Sequence, residues 1–84
     1  MAVSHHNLRP IDVEAVRRLR DHGPLTIPRA YDCGHRDTET TGHGMNRLVA
    51  GGYAVYYRWD ADEDDALWIL TPRGRSALAR VEAE

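Results

Sequence analysis

Residues Tyr57 to Arg75 read YRWDADEDDALWILTPRGR, and the order of parts within them decides how the rest of the chain is arranged. Tyr57–Trp59 closes a run from Ala54 that is rich in β-branched and aromatic residues, and Ala66–Leu70 is a second apolar run of strand length. Between them, Asp60 to Asp65 supply five acids and no base, the composition of a solvated turn. A hairpin of Ala54–Trp59 and Ala66–Leu70 is expected. Strict alternation would place Tyr53, Val55, Tyr57 and Trp59 on one face, with Ala54, Tyr56 and Arg58 on the other. An exposed Tyr56 or Trp59 would mark a contact surface. Next, Thr71 can cap a helix through its hydroxyl, and Pro72 suits the first helical position, where no N–H is needed. The helix that follows has Ala77, Leu78 and Val81 as its apolar face.

Upstream of the hairpin the pattern turns helical. Leu8, Ile11, Ala15, Val16 and Leu19 fall at helical spacing. Pro10 fits the first turn, Asp12 and Glu14 complement the helix dipole, and His22-Gly23-Pro24 stops the helix. Thr26 can cap a short second helix from about Ile27 to Cys33, with Gly34 as a left-handed terminator. Asp37 or Thr38 can start a third that runs to Ala50 and ends at Gly51-Gly52. Its expected apolar face is Thr41, Met45, Leu48 and Val49, and its interior glycines, Gly42 and Gly44, each weaken it by roughly 1 kcal/mol relative to Ala. Three helices, a hairpin and a closing helix make an α+β domain over residues 8–84. Residues 1–7 are expected to be a flexible N-terminus.

Eighty-four residues bound this to one small domain with a limited core. The formal charge of −2 is unevenly spread: residues 1–59 carry eight Arg against six acids, while residues 60–65 carry only acids. All positive side chains other than histidine are arginine, which offers the bidentate fork suited to bases and phosphates. Cys33 is the single cysteine, so no intrachain disulfide forms, and a cytoplasmic setting is expected. No stretch reads as a signal peptide or a membrane span. A domain this small often gains stability from a partner, and a homodimer is the simplest one.

The chain resembles the MarR and PadR type of winged helix-turn-helix transcription regulator. The resemblance covers about residues 8 to 81 and rests on three pieces in order: HGPLTI (residues 22–27), MNRLVAGGYA (45–54) and WILTPRGRSAL (68–78). It implies sequence-specific binding of double-stranded DNA, with the third helix in the major groove and the hairpin as the wing. By that resemblance, Thr38, Glu39, Thr40, Thr41, His43, Asn46 and Arg47 would face the duplex, less whichever turn inward to pack. Arg47 would read guanine or grip phosphate, and Asn46 would pair with adenine. Arg36, just ahead of the helix, would contact the backbone. The glycines would allow close approach to the duplex, or instead let another helix pack tightly.

The wing complicates this expectation. Asp60, Asp62, Glu63, Asp64 and Asp65 would repel phosphate within a Debye length of about 8 Å. Arg58 at the wing's base could make the contact if the tip points away. Alternatively, the acidic hairpin could make the fold a protein-interaction module that seats a basic protein partner, or be a solvated turn that discourages edge-to-edge pairing. The acids lack the glycine and distant glutamate of a calcium loop. Cys33, His35 and His43 could in principle serve zinc. Surface histidines beside a structural cysteine are the simpler account, and no metal or other cofactor is expected. No nucleophile motif or phosphate loop is present, so no enzymatic activity is expected.

Overall fold

The computed structural model describes residues 8–32 and 38–83, with the backbone alone for residues 38–42. Four helices and a hairpin follow in the order α1 (Pro10–His22), α2 (Ile27–Ala30), α3 (Thr38–Ala50), β1 (Ala54–Asp60), β2 (Asp65–Leu70) and α4 (Pro72–Ala83). Residues 33–37, which hold the expected end of the second helix at Cys33, its terminator Gly34, Arg36 and the alternative cap Asp37, lie outside the described residues, as do residues 1–7.

Helix α1 begins at Pro10, as its fixed φ favours, and buries Ala15, Val16 and Leu19. The expected stripe needs one correction: Ile11 is 44% exposed, whereas Asp12 is fully buried. Asp12 sits four residues before Val16 and seven before Leu19, so it is the carboxylate that shares their face. Helix α2 is a single turn, shorter than expected. Thr26 accepts a hydrogen bond from the Arg29 amide at 3.4 Å. The chain then leaves the helix at Tyr31, and Asp32 takes a left-handed φ of 52°.

Helix α3 anchors through Met45 and Leu48, both fully buried. Val49, expected on that face, is 39% exposed. Gly44 is buried, and a β-carbon there would lie 2.6 Å from the Tyr31 hydroxyl oxygen. The tight-packing reading of this glycine is therefore the structural one: Gly44 turns toward α1 and the α2 turn and does not offer its backbone to a duplex.

The wing is a two-stranded antiparallel sheet in which Ala54 pairs with Leu70, Tyr56 with Trp68, and Asp60 with Asp65. A bulge between Tyr56 and Arg58 leaves Tyr57 as the extra residue and shifts the alternation. Trp59 consequently stands opposite Ala66, on the face of Tyr56 and Trp68, and Arg58 stands opposite Leu67. Tyr56 meets Trp68 edge-on with ring centroids 6.0 Å apart, and Tyr56 and Trp59 are both exposed. Leu25 adds a short bridge on the other edge of β2, exchanging two backbone hydrogen bonds with Trp68.

The junction of wing and α4 is tightly fixed. Thr71 accepts from the Gly74 amide at 3.0 Å, closing the expected cap, and its hydroxyl donates to the Gly52 carbonyl. A β-carbon at Gly74 would come within 2.2 Å of the Tyr53 carbonyl oxygen, so only glycine lets α4 start this close to the wing. Ala77 and Leu78 complete the core, which gathers Val16, Leu19, Tyr31, Met45, Leu48, Tyr53 and Leu70 from every element.

Candidate nucleic-acid interface

The same contacts that bury one side of α3 define its other side. With Gly44, Met45 and Leu48 turned inward, the 3.6-residue repeat leaves His43, Asn46 and Ala50 outward. All three are exposed. Thr38, Thr40 and Thr41 lie in the first turns of the same helix, but their side chains are outside the described residues. Arg36 lies outside them altogether. The structure thus brings His43 and Asn46 together on one polar face.

Arg47, also exposed, belongs to the flank of that face. It lies one turn after His43, beside α1, and donates to Asp12 Oδ2 at 3.5 Å. Asp12 is a hub. Its Oδ1 accepts from the Tyr31 hydroxyl at 2.9 Å, and its Oδ2 receives Arg9 Nε at 3.4 Å as well as Arg47. Burial raises the Tyr31 phenol above its ordinary pKa, and the hydrogen bond to Asp12 adds to this, so Tyr31 remains a donor. One buried carboxylate therefore ties α1, the α2 turn and α3 together. A buried charge is tolerated only when it is paired and hydrogen-bonded, and here donors from three segments meet that condition. In the sequence alone, Asp12 reads as a partner of the helix dipole. Its place on the Val16–Leu19 stripe was the available signal, but its partners lie 19 and 35 residues away.

In the wing, most of the acids shape the turn. Asp60 Oδ1 accepts from the amides of Asp62 and Glu63, at 2.9 and 3.3 Å. Asp65 Oδ1 accepts from the Ala66 amide at 2.7 Å, and Asp64 takes a left-handed φ of 54°. Aspartate tolerates and organises such turns better than most residues. Glu63 reaches back to α2 and forms an ion pair with Arg29 at 2.9 Å. Arg58 is exposed, with its guanidinium 5.8 Å from the Tyr57 ring centroid, and it shares a cleft with Arg29, Asp60 and Glu63. Arg29 was not singled out from sequence. It meets Glu63 across 34 positions, which no local pattern reveals.

Among the described residues no helix is long and apolar enough to cross a membrane. Cys33 and His35 lie outside the described residues, and His43 faces outward on α3.

Searches place this geometry among known proteins through structure alone. No protein-family model matches the chain, and no curated protein matches it. Solved structures do. A MarR family transcriptional regulator from Silicibacter pomeroyi shares 26% identity over 88% of this chain and 50% of its own, with a TM-score of 0.73. Wild-type MarR from E. coli, in its apo form, shares 16% identity over 92% of this chain and 57% of its own, with a TM-score of 0.77. BpsR from Bordetella bronchiseptica shares 23% identity over 92% of this chain and 55% of its own, with a TM-score of 0.75. The chain spans about half the length of each.

The fold is therefore a winged helix-turn-helix. Within that class it is a MarR-like domain, with β1–β2 as the wing.

Proposed function

We propose that this chain binds double-stranded DNA in a sequence-specific way and acts as a cytoplasmic transcriptional regulator. The observation that carries the proposal is the two-sidedness of α3: Met45 and Leu48 are locked into the core while His43 and Asn46 face solvent on one polar surface. A helix presented this way fits the major groove, where Asn can pair with adenine and His can donate to a base or a phosphate. The likeness to BpsR, a protein whose DNA binding is regulated, supports the same reading. Thr38, Thr40 and Arg36 extend the proposed surface toward the start of α3, and Arg58 contributes from the wing; Thr41, in register with Gly44, Met45 and Leu48, is left out of it.

The ion pair of Glu63 with Arg29 offsets one of the wing's five acidic charges, and Asp60 and Asp65 hold the turn through its amides, which supports DNA binding despite the acidic tip. The chain acts as a homodimer in this account, with the last helix helping to pair two copies. Two copies would read a roughly palindromic site with half-sites about one helical turn apart. Selection from a random duplex pool tests the proposal: enrichment of one such sequence is expected, and recovery of an unenriched pool would overturn it.

A further inference from the structure

Resting on that reading, we propose that Arg9 and Arg47 form one seat for a phosphodiester of the DNA backbone, with Asp12 as the residue that positions both. Arg9 precedes α1 and Arg47 lies in the last turn of α3, yet both guanidinium groups converge on Asp12 Oδ2, at 3.4 and 3.5 Å. The carboxylate side chain is 1% exposed, while the two arginine side chains are 50% and 44% exposed. The anion is thus hidden and the cations face water. One carboxylate balances one guanidinium, so the pair keeps a net positive charge toward solvent.

The distances add a second argument. Charge-assisted N–H···O contacts settle at about 2.7–2.9 Å, so a shared oxygen at 3.4 and 3.5 Å saturates neither arginine. Among the described residues neither has a shorter polar contact. Among the described residues both are held in place without being consumed, which lowers the ordering cost of engaging a third party. The surroundings carry the same sign. Leu8, Arg47, Ala50, Gly51, Tyr53 and Arg73 line an adjoining cleft with two arginines and no acid.

The position on α3 selects the ligand. A helix lying in the major groove turns its outer face to the base edges and its flanks to the phosphates on the groove walls. His43 and Asn46 occupy the outer face, whereas Arg47 occupies the flank next to Arg9. Arg47 then grips the backbone and does not read a base, and Arg9 joins it as a contact that the helix pattern alone does not reveal.

The salt dependence of duplex binding tests this directly. Each phosphate contact contributes about 0.9 to the slope of log K against log salt concentration. Between 50 and 200 mM salt, about the range over which such contacts are read, Arg9→Gln and Arg47→Gln should each flatten the slope, and the double variant should flatten it by about 0.9, the value for the one phosphate they share. Arg9→Lys, which keeps the charge, should retain it. Arg75→Gln, an equal charge change on exposed α4, should leave it unchanged. In the wild-type protein, duplex should shield Arg9 and Arg47, but not Arg75, from phenylglyoxal as read by mass spectrometry; this arm does not depend on any variant folding. Unflattened slopes, or equal modification of Arg9 with and without duplex, would overturn the seat while leaving DNA binding intact. Absence of duplex binding by wild type at the lowest salt would overturn both the seat and the function it rests on.

Discussion

The α-carbon of Gly44 rests against the Tyr31 hydroxyl, so closely that an added β-carbon would lie 2.6 Å from that oxygen and 3.1 Å from Asp12 Oδ1. This contact seats the middle of α3 on the carboxylate hub and sets the depth at which His43 and Asn46 are presented. Helix propensity alone favours alanine over glycine here by about 1 kcal/mol. The structure predicts the opposite sign. Tyr31 cannot retreat without breaking its bond to a buried charge, so Gly44→Ala should destabilise the fold by about 1–2 kcal/mol through overpacking. Denaturant unfolding measures it, and a stabilised variant would show that α3 does not sit as described.

A tie between α1 and α4 should be visible in acid. Arg17 and Arg20 donate to Glu82, at 3.1 and 2.7 Å. Those bonds, Arg17's the larger influence, hold the Glu82 carboxyl below the ordinary glutamate range. A pKa depressed in the folded state gives stability that is present above the unfolded value and is lost as pH falls through the folded one. The melting temperature of wild type should therefore exceed that of Glu82→Gln near neutral pH, and the two should converge as the solution is acidified. A difference that stays constant with pH would contradict the ion pairing.

The wing offers a third test. An exposed ion pair such as Arg29–Glu63 contributes about 0.2–1 kcal/mol, so the combined change Asp62→Asn, Glu63→Gln and Asp64→Asn should cost little stability. It should tighten duplex binding, because repulsion falls and Arg29 becomes available to phosphate. The gain should shrink as salt rises. Retardation at two salt concentrations reads both effects, and weaker binding by the triple variant would mean that the acids themselves engage the partner.

What was legible in the sequence was what local chemistry controls. Thr71-Pro72 starts α4 and Gly51-Gly52 ends α3 because capping and backbone freedom act within one turn. The acids from Asp60 to Asp65 marked the hairpin turn for the same reason. The departures arise where distant parts meet. Ile11 and Val49 fit the apolar period but are exposed. The bulge at Tyr57 breaks a period of two that nothing in the residue types forbids, and it moves Trp59 to the face of Tyr56. The pairing of Leu25 with Trp68 joins residues about half the chain apart. On α3, His43 and Asn46, which the pattern expects on the outer side, are exposed. The tethering of Arg47 was hidden because it depends on a carboxylate buried in another helix.

The most direct measurement is retardation of the selected duplex by wild type and by Asn46→Ala, with denaturation curves confirming that both are equally folded. A bidentate contact to a base is worth about 1–3 kcal/mol, so affinity for the selected sequence should fall roughly 5- to 150-fold. Affinity for unrelated duplex should barely change. Equal retardation of the selected sequence by both proteins would contradict the central claim that the outer face of α3 reads DNA.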